Sequence, residues 1–519
     1  MNHVIVLGSG AAGLSAAIAA ASEGASVTLY ESTPYIGGTT ALSGGVVWFP
    51  CTAQAQASGY QDSKEDALTY LRSFTDGDVD DALIVTYVNE GPALIERLSE
   101  RAGIEWMPVA YPDYHAERPG GRAAGRSLET RPIRLSPEAD AVIRKPLVWR
   151  LRTTHEEGIL QSADPALLAD REAQNIQTAG NALIAYLLEA AWRLGVVTIV
   201  DSRIRNLRLR DGKVVGVESN DGFVAGSVIV ATGGFERDKA LARTFLRAPI
   251  TGYSGAPGAR GDGLRMMLEI GAEVGNMSEA WWAPTMHVPG DLIDDEELWR
   301  LVHTERSRPG TIIVDQGARR YCNEAQNYSD VGRAMHSFDP GSSRFDRDPS
   351  WLIFDEAYRM SYPLGPILAG EPAPPWWISA PTPEELAVKI GVPPQRLIAT
   401  LTAFNADAAN GVDTEFGRGS AVYDRFVGDQ SAEHPNLRPL NARPLYAVEL
   451  RAGLLGTKGG AKTDPEGRVR TYEGAVIPGL YAAGNSSSNC FGLAYPGAGA
   501  TIGAALLFGE RAGVAAATD

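Results

Sequence analysis

His3-Val-Ile-Val-Leu7, then Gly8-Ser9-Gly10-Ala11-Ala12-Gly13, then Ser26-Val-Thr-Leu-Tyr30 closed by Glu31, is the stretch that decides the fold. The first segment is a short unbroken apolar run, the pattern of a strand buried on both faces. It stops at the glycines, and an alanine-rich helix continues to about Glu23. A second strand follows and ends on an acid. Strand, glycine turn, helix, strand and acid form the context in which G-x-G-x-x-G marks a dinucleotide site. Gly8 permits the tight turn, Gly10 lets backbone approach a pyrophosphate, and Gly13 lets the helix pack on its strand with its N-terminus toward the anion. Glu31, about twenty residues on, is placed to hold a ribose hydroxyl. An ordinary glycine turn leaves Glu31 unexplained. Ala12 and Ser32 belong to the same two turns and join the expected cofactor contacts.

Working outward, Gly37-Gly38-Thr39-Thr40-Ala41-Leu42-Ser43-Gly44-Gly45 is too polar and glycine-rich for a helix core and too long for a simple turn. Nicotinamide-binding folds do not need this second loop, whereas a flavin ring must pass it, so the expected cofactor is FAD with Gly38, Thr39, Thr40, Ser43, Gly44 and Gly45 against it. A helix from Ala182 to Leu194, a strand from Val196 to Val200 and a hairpin around Asp211-Gly212 lead back to the first sheet. There the strand Val228 to Val230 runs into Ala231-Thr232-Gly233-Gly234, a second glycine turn at the sheet's carboxyl edge, where open α/β sheets bind ligands. Ile204 lies on that return path. Gly484-Asn485 repeats the pattern, and Tyr495-Pro-Gly-Ala-Gly499-Ala-Thr501-Ile502 opens a final apolar helix. Ile204, Ala231, Thr232, Gly233, Gly484, Asn485, Gly499, Thr501 and Ile502 complete the expected cofactor set.

At 519 residues the chain has room for two to four domains. Between about Met277 and Pro444 the composition shifts to tryptophan and proline with few strand-like alternations. The expected architecture is therefore α/β: a Rossmann-like FAD-binding domain, discontinuous over 1–277 and 445–519, with an inserted α+β catalytic or capping domain at 278–444. The balance of 47 Lys and Arg against 63 Asp and Glu gives a net charge of −16, which speaks against a nucleic-acid partner. Cys51, Cys322 and Cys490 are far apart and lack metal-cluster or haem spacing. The expectation is no metal and a reducing, cytoplasmic setting. The apolar opening lacks a basic start and is broken by glycines, unlike a secretory signal. No uninterrupted apolar run reaches the roughly 18 residues of a transmembrane segment.

End to end, the chain resembles the 3-ketosteroid Δ1-dehydrogenases, flavoproteins of the fumarate-reductase-like superfamily. The likeness runs through Tyr35-Ile-Gly-Gly-Thr-Thr-Ala-Leu-Ser-Gly-Gly45, Pro112-Asp113-Tyr114, Ala280-Trp281-Trp282, Arg320-Tyr-Cys-Asn-Glu324 with Tyr328, Phe416-Gly-Arg-Gly419, Gly456-Thr-Lys-Gly-Gly460 and Tyr495-Pro-Gly-Ala-Gly499. The glycine turns are shared by the superfamily, and the tyrosine segments are the more specific part. Where the succinate and fumarate branch carries a basic His-Gly-x-Asn-Arg signature, this chain has Phe491-Gly-Leu-Ala-Tyr495, so a dicarboxylate loses its clamp. From about Arg131 to Thr178 the likeness fades, in a stretch that could border the substrate entrance.

The resemblance implies desaturation beside a ketone, most directly a 3-ketosteroid. A smaller cyclohexanone-type ketone, the Δ4-(5α) side of a steroid and, in another class, fumarate-type reduction stand as alternatives. The expected partners are a small apolar cyclic ketone and a diffusible electron acceptor such as a quinone or oxygen, with FAD bound non-covalently. Removing two adjacent hydrogens requires donors on the carbonyl oxygen, a base for the α-proton and a hydride acceptor. The resemblance assigns the donors to the Tyr495 hydroxyl and the Gly499 amide, and proton abstraction to Tyr328 with Tyr114 as its hydrogen-bonding partner. Trp281 and Trp282 are candidates for stacking on a flat substrate or, equally, for core packing. His115 and His287 carry no special signal.

Overall fold

The structure is a computed structural model that describes residues 2–75, 77–147, 152–160, 164–247 and 250–519. Its first sheet has six strands in the order Arg468–Arg470, Val476–Ala482, Ser227–Val230, His3–Leu7, Ser26–Tyr30 and Val197–Ile199. All neighbours are parallel except the edge strand Arg468–Arg470. The glycine turns after Leu7 and Val230 therefore leave the same carboxyl edge. Helix Ala11–Ser22 covers the sheet and is nearly all buried small residues, with no polar stripe. Helices Ala179–Arg193 and Ala500–Thr518 pack against it. Ala500–Thr518 is long and apolar enough to cross a membrane, but it is built for protein contact. A Cβ on Gly509 or Gly513 would lie 2.4 or 2.2 Å from the carbonyl oxygens of Ala12 and Ala16, so the two helices meet backbone to backbone.

The expected scarcity of strands in the insert is overturned. A seven-stranded sheet forms there around Leu445–Thr457, which pairs antiparallel with Ala280–Ile293 and Ser350–Asp355. Glu296–Leu301, Thr311–Val314 and the short Ile378–Ala380 and Gly252–Tyr253 complete it. Proline disguised the long strand, because Ala280–Ile293 carries Pro284 and Pro289 and breaks the alternation that marks strands. Gly252–Tyr253 and Leu445–Thr457, which composition places with the cofactor domain, form their strand hydrogen bonds in this second sheet.

The fold is thus mixed α/β, a parallel cofactor sheet beside separate antiparallel sheets. One core joins helix Ala11–Ser22, helix Ala500–Thr518 and the aromatic residues Trp281, Tyr328 and Tyr495. Separate cores fill the two sides of the second sheet. Beyond Thr457 the chain passes through Lys458-Gly459 into the short strand Gly460–Ala461, which pairs with Val274–Gly275, and joins the first sheet at Arg468–Arg470.

Candidate active site

A cavity of about 620 Å³ lies along the carboxyl edge of the parallel sheet and runs on to the second sheet at Trp281, Leu298 and Leu455. Of the cofactor residues expected from the sequence, all but Gly13 line it. Gly13 works from behind: a Cβ there would sit 1.9 Å from the Gly8 carbonyl oxygen, so its bare Cα lets the helix reach the strand. Gly8 has φ +104° and would drive a Cβ to 2.3 Å from the Ala231 oxygen, a position only glycine fits. At Gly10 and Gly38, by contrast, nothing lies nearer than 3.7 Å to an added Cβ, so naked backbone faces open space. That is a cradle for a pyrophosphate at the N-terminus of helix Ala11–Ser22.

Glu31 is only 7% exposed and holds the turn together. One oxygen accepts from the Ser9 hydroxyl at 2.6 Å, the other from the Thr33 amide at 2.9 Å. Its carboxylate lines the cavity where a ribose would lie. Backbone glycines, a carboxylate, the loop 37–45 and the start of helix Ala500–Thr518 thus fit FAD along the whole length. Bound there, FAD supplies the hydride acceptor.

At the far end stand the three tyrosines. Tyr328 is the first residue of helix Tyr328–Ala334, whose N-cap Asn327 accepts from the Asp330 amide at 3.1 Å. That helix lies flush on strand Ala280–Ile293, since a Cβ on Gly332 would come 2.3 Å from the Ala283 nitrogen. Tyr114 is tied directly to the Tyr495 segment: its amide donates to the Pro496 oxygen at 3.0 Å, and Asp113 forms a bridge with Gly497. Asp113 is itself buried, accepting from Trp48 Nε1 and Arg126 Nη1, both at 2.8 Å, and burial lifts its carboxyl to about 6. The ring centres of Tyr114 and Tyr328 are 5.9 Å apart, of Tyr114 and Tyr495 5.1 Å, and of Tyr328 and Tyr495 5.7 Å. All three contacts are edge to face, and the Tyr328 hydroxyl is hydrogen-bonded with those of Tyr114 and Tyr495. Gly499, with φ +99°, opens helix Ala500–Thr518 beside them.

Burial pushes all three phenols up, Tyr114 and Tyr328 well above the ordinary value. At Tyr328 the Tyr495 hydroxyl adds to that rise and a hydrogen bond from Tyr114 works against it. The motifs around them are scaffolding. Arg320 forks onto Glu324 at 2.7 and 2.8 Å and onto Asp413 at 2.8 Å, while Arg418 donates to the Thr311 oxygen at 2.7 Å. This buried ion network fixes the segment that carries Tyr328.

The two tryptophans part company. Trp281 lines the cavity, 4.7 Å from the Tyr495 ring, whereas Trp282 is core, packed on His336 and donating to Glu279 at 3.1 Å. Four residues escaped the sequence reading. Tyr423 packs on Tyr114 at 5.0 Å, and its hydroxyl lies 3.0 Å from His303 Nε2. His303 stands edge-on to Tyr328 at 5.3 Å, and burial drops its imidazole to about 3, so it is neutral there. Tyr111 and His155 line the same chamber, and the buried Glu129 accepts from His155 Nδ1 at 2.9 Å. Lone tyrosines and histidines carry no spacing signal. Only the loss of likeness over 131–178 pointed this way, and Arg144, Thr153, Thr154, His155 and Gly158 from that stretch do line the cavity.

The sequence profile of the FAD binding domain family matches residues 3–502. The chain is 36% identical to the 4-oxocyclohexanecarboxylate 2-dehydrogenase of Sinomonas cyclohexanicum over 98% of its own length and 92% of that protein's. It is equally 36% identical to the 3-oxosteroid 1-dehydrogenase of Mycobacterium tuberculosis, over 98% and 97%. A crystal structure of 3-ketosteroid Δ1-dehydrogenase from Sterolibacterium denitrificans in complex with 1,4-androstadiene-3,17-dione superposes with a TM-score of 0.92 at 32% identity, covering both chains fully. With the dinucleotide cradle and the matched length taken together, the chain belongs to the FAD binding domain family and is an FAD-dependent oxidoreductase acting on CH–CH groups, of the 3-oxosteroid 1-dehydrogenase kind.

Proposed function

We propose that this enzyme desaturates the C1–C2 bond of a 3-ketosteroid, with Tyr328 taking the α-proton and Tyr495 and Gly499 holding the carbonyl oxygen. The observation that carries the reading is the convergence of Tyr114, Tyr328 and Tyr495 on one wall of the cofactor cavity. A carbonyl set between the Tyr495 hydroxyl and the helix terminus at Gly499 meets two fixed donors and the positive end of a dipole, which favours charge on its oxygen. Tyr328 then needs its own proton drawn away, and the Tyr114 hydroxyl is the donor that stabilises the phenolate. Trp281 and the leucines at 298, 301 and 455 give the chamber an apolar lining suited to a flat neutral ring system. FAD is held without a covalent bond, by the backbone of the glycine turns, the loop 37–45 and the carboxylate of Glu31. Electrons leave to a diffusible acceptor such as a quinone or oxygen, and the unpaired cysteines fit a cytoplasmic setting.

A second reading is a monocyclic ketone with a polar substituent. It is favoured by His155, whose Nδ1 is taken by Glu129 and whose other edge presses on Gly44 at the cavity wall. The test is anaerobic mixing of the yellow enzyme with 4-androstene-3,17-dione and with 4-oxocyclohexanecarboxylate while following the flavin absorbance. Fast bleaching by the steroid is expected. Bleaching by the monocyclic acid alone would replace the steroid reading with the second, and bleaching by neither would end both.

A further inference from the structure

The segment Gly456-Thr457-Lys458-Gly459-Gly460 has no part in the chemistry above, yet it puts a cation behind the active site. Lys458 is fully buried. Its Nζ donates to the carbonyl oxygens of Leu493 at 2.9 Å and Ala494 at 2.7 Å, and lies 4.3 Å from the centre of the Trp281 ring. No carboxylate among the described residues is within ion-pairing distance of it. Burying an ammonium without a counter-ion is expensive, and two backbone carbonyls with one aromatic face are modest compensation. A methionine would fill the same channel at no such cost. The charge therefore has to act on something, and what lies next to it is the wall of the site. Leu493 and Ala494 are the two residues before Tyr495. The same Trp281 ring lies 4.7 Å from the Tyr495 ring and is pinned by Nε1 donating to Asn485 at 3.1 Å. Lys458 is itself held by backbone, its amide donating to the Glu279 oxygen at 2.9 Å.

We propose that Lys458 is a positioning residue for carbonyl activation: it fixes the backbone that presents Tyr495 and sets a positive charge behind Trp281 and Tyr495, on the side where the substrate oxygen gains negative charge. The inference rests on the desaturase reading. The charged groups facing Lys458 are Glu279, next to the strand that carries Trp281, and Asp330 and Arg333 on the Tyr328 helix. Arg333 is paired with Glu279 at 2.7 Å, and Asp330 lies 2.9 Å from His115 Nε2 and accepts from Asn327 at 2.8 Å; neither carboxylate forms an ion pair with the ammonium. Burial first, then Arg333, push the ammonium down to about 7 against the pull of Glu279 and Asp330. The charge is present below that pH and is lost as pH rises through it.

The test reads α-carbon hydrogen exchange by NMR in deuterated water, on holoenzyme with its flavin reduced, using whichever of the two ketones above bleaches the wild type. In the wild type, exchange should fall as pH rises through about 7. Lys458→Met should bind FAD fully but exchange about ten- to a hundred-fold more slowly at pH 6, the scale of a lost electrostatic contact, and should lack that limb. Lys458→Arg keeps its charge and should show no limb in this range while retaining more activity. A Lys458→Met enzyme that keeps the wild-type limb, whether slowed or not, overturns the proposal, because packing alone does not remove a titration. If neither variant folds, the wild type still decides: the absence of a falling limb near pH 7 refutes the role. A wild type that neither bleaches nor exchanges refutes the desaturase reading itself, a different result.

Discussion

Tyr328 and Tyr495 share a wall and a degree of burial but differ in what they touch, and that difference separates the roles proposed for them. Tyr328 has Tyr114 beside it as a donor, whereas Tyr495 sits next to the positive end of helix Ala500–Thr518. Tyr328→Phe removes one hydroxyl and little volume, so FAD and ketone should still bind. Flavin reduction should slow by about two or more powers of ten, the scale of a lost general base, and α-proton exchange with reduced enzyme should stop. Tyr495→Phe should slow reduction by about two to three powers of ten and also weaken ketone binding. Normal exchange in Tyr328→Phe would move the base elsewhere, with Tyr114 next in line. His303, edge-on to Tyr328, gives a stability prediction. Its imidazole is ordinary in the unfolded chain, near 6.5, but falls to about 3 when buried. Between those values the unfolded state binds a proton that the folded state refuses, so stability drops as pH falls through this window. His336, held near 4 by burial, acts in the same direction. The melting temperature of His303→Gln should depend less steeply on pH between about 4 and 6.5 than that of the wild type. Parallel curves would show that His303 does not carry this term.

Among elements, the helix Ala11–Ser22 shows how close approach is written into single glycines. Gly13→Ala forces a Cβ toward the Gly8 oxygen, 1.9 Å away, and the helix must lift from strand His3–Leu7. The expected cost is about 1–3 kcal/mol, read as a lower denaturation midpoint, together with a lower FAD content in the purified enzyme. A variant with wild-type stability and full flavin would show that the contact relaxes without consequence. The same helix explains what the sequence made legible. Gly8, Gly10, Gly13 and Glu31 announced it because a phosphate site needs local, closely spaced residues, and the loop 37–45 announced the flavin for the same reason. The second sheet stayed hidden, because its long strand Ala280–Ile293 carries two prolines and its central strand Leu445–Thr457 pairs with residues 65 to 201 positions away. The chamber was legible only through resemblance. Tyr114, Tyr328 and Tyr495 have no mutual spacing in the sequence, and nothing in the residues around Tyr423, His303 or His155 hints that tertiary packing brings them to the same wall. Sequence could place Lys458 in a glycine-rich turn but not reveal that its ammonium is buried beneath Trp281.

At the scale of the molecule, the arginines that line the cavity among the described residues come from distant parts of the chain, and each arrives already engaged. Arg144 is paired with Asp294, Arg203 with Asp262 at 2.6 Å and Arg300 with Asp291. Of these, Arg203 lies near the dinucleotide end, beside Ile204 and the turn at Ser202. The tyrosine end offers phenols, the neutral His303 and apolar leucines, and Arg300 between two of those leucines is paired with Asp291. A dicarboxylate such as succinate carries two charges that must be stripped of water on entry, and with the lining arginines already paired to aspartates that desolvation is prohibitive. Breaking an existing Arg–Asp pair to supply one would strand the aspartate instead. A neutral ring system pays no such penalty and gains from every apolar contact. Neutral cyclic ketones should therefore bleach the flavin under anaerobic conditions, and succinate at millimolar concentration should leave it yellow. The comparison is made on one preparation with ketone added after succinate, so that a failure to bleach with the acid is not mistaken for dead enzyme. Faster reduction by succinate would mean that the arginine pairs open to admit an anion, and the fumarate-type reading would then displace ketone desaturation.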